Sequence, residues 1–462
     1  MTDPLLVLFG ATGDLSEKKL LPALKGLHES GDGMPVLLVS RKDTDIHGFI
    51  EYMGIGDYPD SFLEDLYYVQ KDVTEGADGR LRERVREIEG FHGCDTRLFY
   101  LALPYFLFED ASSLIDGSGL NRDGARVAFE KPFGDSLESA RSLLSDIRGF
   151  FDRDQVFLVD HYLGKEAVED LLATRFGSDL LGAVWNGKHA ESIQILLSED
   201  FGPSGRTRYY DSAGAIRDVV QSHLLQALSL ATMRPPDSLS EEDVREAKLE
   251  ALRSLELPET QDLVVGQYGA GQNPSSEAYR ELEGADEDSA TETFAALRFG
   301  IDSPLWPDTD IYLKTGKMLD RHEASINLVL EEDSRLYDKN QGEAVTLRMH
   351  PTQGLRLRLT QKGGDGVESM RQDVLQNSPD SSTAYENIFS GLVRGDHRLF
   401  VSQEFMEESW RITDRLIDMK ESKNNNFPNY APGTKGPEKA GNIPERHGDS
   451  WIDLTRERET DT

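Results

Sequence analysis

Continuous apolar runs alternate with a helix-like segment at the start of the chain. The stretches "PLLVLFG" and "MPVLLVSRKD" each contain an unbroken apolar run of strand length. Between them, leucines recur with the spacing of one helix face, at positions 20, 21, 24 and 27. A parallel strand covered on both faces is apolar throughout, so this order predicts the start of an α/β sheet. "TRLFYLALP", "GARVAFEKPF" and "VFLV" predict further strands of that sheet.

Alternating strands replace this pattern from about Glu191 onward. The segments "ESIQILLSE", "ETFAALRFG", "INLVLE", "AVTLRMH" and "LRLRLTQ" predict a large, mainly antiparallel sheet. A chain of 462 residues also exceeds the size at which one hydrophobic core usually keeps growing. We therefore expect an α/β Rossmann-type dinucleotide-binding domain over residues 1–155 and an α+β domain over residues 156–462. Repeated Asn, Gly and Pro predict an irregular segment from Glu421 to Arg446.

The composition is strongly acidic, with 84 Asp and Glu, 50 Lys and Arg, and a net charge of −34. A nucleic-acid partner is not expected, because binding a phosphate backbone needs a basic face. An acidic, lysine-poor surface is typical of a highly saline cytoplasm, where about 1 M salt shortens the Debye length to about 3 Å. An ordinary acidic enzyme is the alternative.

No stretch approaches eighteen uninterrupted apolar residues, and "MTDPLLVLFG" has neither the basic region nor the cleavage site of a signal peptide. Cys94, the single cysteine, can form no internal disulfide and no metal-binding pattern. We therefore expect a cytoplasmic protein with no membrane partner and no bound metal.

The turn "GATGDL" after the first strand predicts a nucleotide site. Gly10 and Gly13 would let a pyrophosphate approach the backbone amides at the start of the helix. A full G-x-G-x-x-G is absent, so an ordinary strand-to-helix turn is the alternative. After the second strand, Arg41 with Lys42 indicates NADP, because a basic residue there accommodates the 2′-phosphate. A solvated basic loop would look the same.

Further polar residues follow later strands. Lys131, in "EKP" beside a possible cis-proline at Pro132, lies where ligands bind in an open α/β sheet, although a simple loop lysine is possible. Hydride transfer from a carbinol needs a base of near-neutral pKa, and His223 in "RDVVQSHLL" is a candidate. Asp218 is five residues away and not on the same α-helical face. A dyad with Asp160 of "DHYLGK" is therefore favoured.

"DHYLGK" also suits a phosphorylated substrate. An overall negative protein cannot attract a phosphate by its net field, so local groups must do so. His161, Tyr162 and Lys165, at a helix start, form such an anion-binding set. The alternative is a strand-to-helix loop with a core histidine and a surface lysine.

Together these segments closely resemble the glucose-6-phosphate dehydrogenase family over nearly the whole length. The matching stretches are "FGATGDLSEKKLLPAL", "RLFYLALP", "EKPFG", "DHYLGKEAVEDLLATRF", "IRDVVQSHLLQ", "TGKML", "AYENIFSGLVRGDHRLF" and "GPEKA". The resemblance implies oxidation of D-glucose 6-phosphate at C1 to 6-phospho-D-glucono-1,5-lactone in the oxidative pentose phosphate pathway. NADP would accept the hydride, NAD remains possible, and the enzyme would be a homodimer or homotetramer.

The resemblance also assigns roles to residues. His223 would be the base and Asp160 its partner, and His161, Tyr162 and Lys165 would hold the 6-phosphate. Other substrate-binding positions would be Lys131, Glu199, Asp218, Lys317 and His322. Cofactor-binding positions would be Gly10, Gly13, Asp14, Arg41, Lys131 and Pro132.

Two positions depart from the family pattern. His322 replaces the usual Lys or Arg five residues after Lys317, and the neighbouring Arg321 could compensate for the lost charge. Tyr105 stands where a second proline is usual. A dehydrogenase of another sugar or aldose phosphate, or a silent NADP-responsive regulator, remains the alternative function. The retained His223 argues against the regulator.

Overall fold

The computed structural model describes residues 4–122, 124–164, 170–271, 277–331, 342–362, 367–376 and 383–452. Backbone contacts divide the chain into two compact units. The first comprises Met1–Glu166 and Ser382–Glu407, and the second comprises Ala167–Ser381 and Glu408–Thr462. These limits differ from the predicted 1–155 and 156–462, because a late segment of the chain returns to the first unit.

A seven-stranded sheet forms the centre of the first unit. Its parallel strands are β1 (Leu5–Phe9), β2 (Val36–Ser40), β3 (Leu66–Gln70), β4 (Arg97–Leu101), β5 (Arg126–Glu130) and β6 (Val156–Val159). They lie in the order β6-β5-β4-β1-β2-β3, the doubly wound order of a dinucleotide-binding fold. All residues of β1, β2 and β4 are buried, as their apolar runs predict.

The helices of this unit are Ser16–Leu20 (π-helical), Leu21–Glu29, Ile46–Met53, Asp60–Glu64, Arg80–His92, Phe108–Gly117, Leu137–Arg148 and Ala384–Arg394. The last of these packs against Leu21–Glu29. Its Ile388, Phe389 and Leu392 are fully buried in the core formed with strand residues such as Leu98. A short strand, Phe400–Val401, then pairs antiparallel with β6. Burial of these apolar side chains explains why the late segment belongs to the first unit.

A nine-stranded sheet forms the centre of the second unit. Its strands are β7 (Ala190–Ser198), β8 (Leu255–Glu256), β9 (Leu263–Gly266), β10 (Phe294–Ile301), β11 (Asp310–Gly316), β12 (Glu323–Leu330), β13 (Ala344–His350), β14 (Gly354–Lys362) and β15 (Val367–Gln376). The order is β15-β14-β13-β12-β7-β11-β10-β8, and β9 also pairs with β10. Only the β7–β11 pairing is parallel among the described strands of this sheet. The predicted fold class is confirmed.

The helices of the second unit are Ala173–Gly177 and Ile216–Leu224 (both π-helical), Asp179–Val184, Thr207–Ala215, Leu225–Thr232, Glu241–Arg253, most of Gln403–Glu421, and Glu438–Glu445. The predicted irregular segment is wrong over Glu438–Glu445, because Ala440 and Ile443 are buried in a core cluster that stabilises a helix there. None of the helices in the described residues has both the length and the apolar character needed to cross a membrane.

Candidate active site

The glycine turn after β1 has the geometry that the sequence predicts. Gly10 has a φ of +75°, and a Cβ built there would lie 2.1 Å from the carbonyl oxygen of Ala102. The Gly13 amide donates to the Gly10 carbonyl at 3.0 Å. A hydrogen bond of 2.9 Å between the Thr12 and Ser40 hydroxyls joins the turn to the end of β2. Only glycine fits at position 10.

Basic side chains follow β2 at the same edge of the sheet. Arg41 and Lys42 are exposed, and the Lys42 ammonium lies 3.9 Å from the ring centroid of Tyr52. Asp14, in the turn, is also exposed and lies 2.9 Å from the Lys18 ammonium. Two cations beside a glycine turn fit the phosphate groups of NADP.

Lys131 and Pro132 follow β5, and the peptide bond between them is cis. Lys131 is half-buried. Because the carboxyl ends of parallel strands share one edge of a sheet, Gly10, Arg41, Lys131 and Asp160 lie at the same edge. The structure thus brings these four predicted residues to one edge of the sheet.

The loop after β6 holds His161 and Tyr162 in a tight turn. Asp160 is 1% exposed, and its carboxylate accepts a hydrogen bond from the Tyr162 amide at 3.0 Å. The Asp160 carbonyl accepts from the Leu163 amide at 2.9 Å. An Asx turn of this kind fixes the backbone from which both side chains project. Lys165 lies outside the described residues.

The returning helix Ala384–Arg394 supports this loop. The rings of His161 and Tyr385 stack, with centroids 6.1 Å apart and 6° between their planes. The Gly164 carbonyl accepts from Asn387 Nδ2 at 2.9 Å, and a Cβ at Gly164 would lie 2.3 Å from a carbonyl oxygen of the helix. No local pattern predicts this support, because 223 residues separate Gly164 from Asn387.

Glu130, the last residue of β5, is a buried carboxyl at this edge. The Tyr100 hydroxyl donates to it at 2.5 Å. Burial raises the pKa of Glu130 to about 7, and the Asp160 charge adds to the rise. Hydrogen bonds from Tyr100 and Tyr385 and the charge of Lys131 oppose it. Glu130 was not predicted as a site residue, because no local pattern shows that the carboxyl at the end of β5 is buried.

In the second unit, Glu199 and Lys317 follow the adjacent parallel strands β7 and β11. The Lys317 ammonium lies 2.5 Å from the Glu199 carboxylate, and Lys317 is 7% exposed. The Lys317 amide donates to the Thr293 carbonyl at 2.9 Å, and its carbonyl accepts from the Tyr430 hydroxyl at 2.7 Å. The ion pair is therefore held by both its side chains and its backbone.

Asp218 and His223 lie in the helix Ile216–Leu224, where His223 is 5% exposed. In an α-helix, residues five apart lie about 140° apart around the axis, which argued against a shared face. The helix is π-helical, however, and its bonds link residues five apart. Asp218 and His223 therefore lie one wide turn apart on the same side, and the spacing argument does not hold here.

Tyr210 was not predicted from the sequence, yet it lies among these groups. Its ring centroid is 4.8 Å from the Lys317 ammonium. Burial raises its pKa well above the ordinary value, and the charges of Asp218, Glu292 and Glu199 raise it further. The charges of three carboxylates therefore act on one buried phenol. The stretch "RTRYYDSAGA" has no motif that would mark it.

Two family models match consecutive parts of the chain. "Glucose-6-phosphate dehydrogenase, NAD binding domain" matches residues 7–170, and "Glucose-6-phosphate dehydrogenase, C-terminal domain" matches residues 172–452. The chain belongs to the glucose-6-phosphate dehydrogenase family.

Relatives and solved structures of glucose-6-phosphate dehydrogenase are similar over almost the full length. The glucose-6-phosphate 1-dehydrogenase of Dictyostelium discoideum is 34% identical over 96% of this chain and 94% of its own. That of Mycolicibacterium smegmatis is 34% identical over 96% of both chains. A glucose-6-phosphate dehydrogenase solved in complex with its substrate glucose-6-phosphate has a TM-score of 0.87, 31% identity, and coverage of 98% and 99%. The Mycobacterium avium enzyme has a TM-score of 0.84, 32% identity and 98% coverage of both.

Of the two positions that depart from the family pattern, His322 lies in the second unit. The His322 ring stacks on His350 with centroids 3.6 Å apart and meets Phe201 edge-on at 5.2 Å. The Arg321 guanidinium lies 2.9 Å from the Asp320 carboxylate. Asp320 therefore neutralises part of the Arg321 charge that could compensate for His322. The dyad of Asp160 and His223, which joins residues of different units, stays a prediction.

Proposed function

We propose that this chain oxidises D-glucose 6-phosphate at C1 to 6-phospho-D-glucono-1,5-lactone, with NADP as the hydride acceptor. One observation carries the proposal: the second unit places a buried imidazole and a Lys–Glu pair on neighbouring elements. The helix with His223 packs against β11, after which Lys317 pairs with Glu199. A base beside groups that both donate and accept hydrogen bonds suits a sugar hydroxyl.

His223 acts as the general base. An imidazole has an unperturbed pKa of about 6.5, so near neutral pH it accepts a proton readily. It takes the proton of the C1 hydroxyl as the carbonyl forms. Asp160 orients the ring and stabilises its charged form, as a carboxylate partner of a catalytic histidine does.

Lys317, Glu199, Asp218 and Lys131 hold the sugar ring. The Lys317 ammonium donates to sugar oxygens, and the carboxylates of Glu199 and Asp218 accept from sugar hydroxyls. Pairing of Lys317 with Glu199 leaves little net charge, which suits an uncharged polyol. Tyr210 holds the ammonium against its ring face.

His161, Tyr162 and Lys165 bind the 6-phosphate, and His322 contributes to substrate binding. His161 is held by its stack on Tyr385. In a chain of net charge −34, a dianionic phosphate requires such a local set of donors. The phosphate therefore fixes which end of the sugar faces the base.

NADP supplies the hydride-accepting nicotinamide when bound. Gly10 and Gly13 provide the backbone turn for its phosphates, with Asp14 beside them. Arg41 binds the 2′-phosphate. Lys131 and Pro132 link the cofactor and sugar positions. NAD remains an alternative cofactor. Arg41 favours the 2′-phosphate of NADP, but a cofactor that lacks this phosphate can still bind.

The proposal includes a cytoplasmic enzyme that forms a homodimer or homotetramer, as the family resemblance implies. It also includes adaptation to a saline cytoplasm, which the acidic, lysine-poor composition supports. Activity should then rise with KCl towards about 1 M, where surface repulsion is screened. Size-exclusion chromatography with light scattering in the same salt series measures the subunit number.

Steady-state assays with glucose 6-phosphate and glucose, each with NADP and NAD, test this function. We expect kcat/KM for glucose 6-phosphate to exceed that for glucose by at least about a hundredfold, since lost charged hydrogen bonds cost about 1.5–3 kcal/mol each. Equal turnover of both sugars would contradict the phosphate role of "DHYLGK". Faster turnover of another aldose phosphate would favour a dehydrogenase of that sugar phosphate. No turnover of any of these substrates would favour the silent NADP-responsive regulator.

A further inference from the structure

The helix with His223 is anchored at its start by Glu292, a residue outside the proposed reaction. Glu292 is 1% exposed. Its carboxylate accepts a hydrogen bond from the Ile216 amide at 3.0 Å, and its carbonyl accepts from the Ala215 amide at 2.9 Å. The first amides of a helix have no partner within it, and a negative charge there is favourable.

Gly214 allows this close approach. It has a φ of +71°, and a Cβ built there would lie 2.4 Å from one Glu292 carboxylate oxygen and 2.9 Å from the other. A side chain at position 214 would therefore push the carboxylate away from the helix. In the sequence "SAGAIRD", the glycine stands two residues before the helix begins at Ile216.

A second helix holds both the carboxylate and the π-helix. The Lys420 ammonium forms an ion pair with Glu292, and the Lys420 side chain is 13% exposed. Ser409, eleven residues before Lys420, accepts a hydrogen bond of 2.9 Å from Gln221 of the π-helix. Pairing with Lys420 offsets the cost of burying the carboxylate.

Thr293, the residue after Glu292, holds the backbone of Lys317. The Thr293 carbonyl accepts from the Lys317 amide at 2.9 Å, and the Thr293 hydroxyl lies 2.8 Å from the Tyr430 hydroxyl. Two adjacent residues immediately before β10 therefore connect to the start of the π-helix and to the proposed sugar-binding lysine. A shift of this dipeptide would move both.

We infer that Glu292 is a positioning residue, whose carboxylate anchors the π-helix so that His223 and Asp218 keep the places that turnover requires. The inference rests on the proposed function, because turnover of glucose 6-phosphate is one of its readouts. The Glu292 carboxylate acts through the backbone of the helix. Displacement of a base by about 1 Å can cost about a hundredfold in rate.

Four variants separate the anchor from the ion pair. Glu292→Ala removes the carboxylate that accepts from the Ile216 amide. Gly214→Ala displaces that carboxylate. Lys420→Met removes the ion pair and leaves the acceptor. The double variant Glu292→Gln with Lys420→Met removes both charges and keeps an oxygen that can accept.

We expect kcat to fall at least about tenfold in Glu292→Ala and Gly214→Ala, per folded enzyme. The KM for NADP should change less than about threefold, because the cofactor turn belongs to the first unit. The double variant should restore most of kcat. Asp262→Asn is the matched control, because Asp262 is a fully buried carboxylate paired with Arg446. It should lower the melting temperature and leave kcat unchanged.

Parental kcat in Glu292→Ala would overturn the inference, and so would an equal loss of kcat in Asp262→Asn. If Glu292→Ala does not fold, Gly214→Ala and the double variant decide. Parental kcat in Gly214→Ala would also overturn the inference. A loss of kcat in the double variant equal to that in Gly214→Ala would overturn it as well.

Hydrogen–deuterium exchange separates this inference from the proposed function. Amides of residues 215–224 should exchange faster in Glu292→Ala than in Asp262→Asn, whether or not the chain oxidises glucose 6-phosphate. Inactive parental enzyme with this local change would contradict only the proposed function. Active parental enzyme with unchanged exchange in this segment would contradict only the anchor.

Discussion

The two units obtain their candidate site residues in different ways. In the first unit, Gly10, Arg41, Lys131 and Asp160 each come directly after a strand of the parallel sheet. Their places follow from the order of the strands. The edge of such a sheet gathers side chains that are far apart in sequence without any further contact.

In the second unit, only Glu199 and Lys317 follow strands in this way. His223 lies on a helix whose start is anchored by Glu292, 76 residues after Ile216. The position of His223, the proposed base, therefore depends on long-range contacts. Changes at the strand ends of the first unit, Asp160 excepted, should therefore mainly weaken ligand binding, whereas displacement of the helix with His223 should mainly slow turnover.

Replacement of the base should have the largest effect. In His223→Asn, kcat should fall by about 10²- to 10⁴-fold, the usual contribution of a general base. The Kd for glucose 6-phosphate, measured by calorimetry, should change little, because the phosphate groups are intact. His189→Asn, an exposed histidine of the same unit, is the control. More than a tenth of the parental kcat in His223→Asn would assign the base elsewhere.

Glu130 should make the stability of the first unit depend on pH. Because its folded pKa is raised to about 7, its contribution is fully present at low pH and is lost as pH rises through 7. Glu130→Gln keeps an acceptor for Tyr100 and removes this loss. Relative to the parent, the variant should gain about 2–3 kcal/mol in unfolding free energy between pH 5 and pH 8.

Urea denaturation at both pH values measures this difference. Glu64→Gln, at an exposed position of the same unit, should show none of it. An equal pH dependence in Glu130→Gln and the parent would mean that Glu130 is already charged when folded. Glu130 would then be a further negative charge at the carboxyl edge of the sheet.

Removal of the cofactor cation should have the smallest of these effects. In Arg41→Ala, the KM for NADP should rise about tenfold or more, the cost of one charged hydrogen bond, while the KM for NAD stays nearly constant. Arg82→Ala, another exposed arginine of the first unit, is the control. Equal increases in both KM values would show that Arg41 does not recognise the 2′-phosphate.

Much of the first unit could be predicted from local patterns. The apolar runs of β1 and β2 identify buried parallel strands, and Gly10 marks the turn after them. Tyr385 could not be predicted, because its contact with His161 depends on the return of the chain more than 200 residues later.

The anchoring contacts of the second unit could not be predicted either. The segment "IRDVVQSHL" has a spacing of apolar residues that suits an α-helix, and nothing local shows that it is π-helical. Tyr430 reaches Lys317 from 113 residues away. Only tertiary packing selects such contacts, as it also selects the helix Glu438–Glu445 despite its glycine and proline.

The return of Ser382–Glu407 to the first unit has a consequence for synthesis on the ribosome. Until that segment emerges, the nascent nucleotide-binding fold lacks the side chains of Ile388, Phe389 and Leu392, and an apolar surface stays exposed to the cell. The part of the protein that is translated first is therefore finished only after most of the second unit has been made.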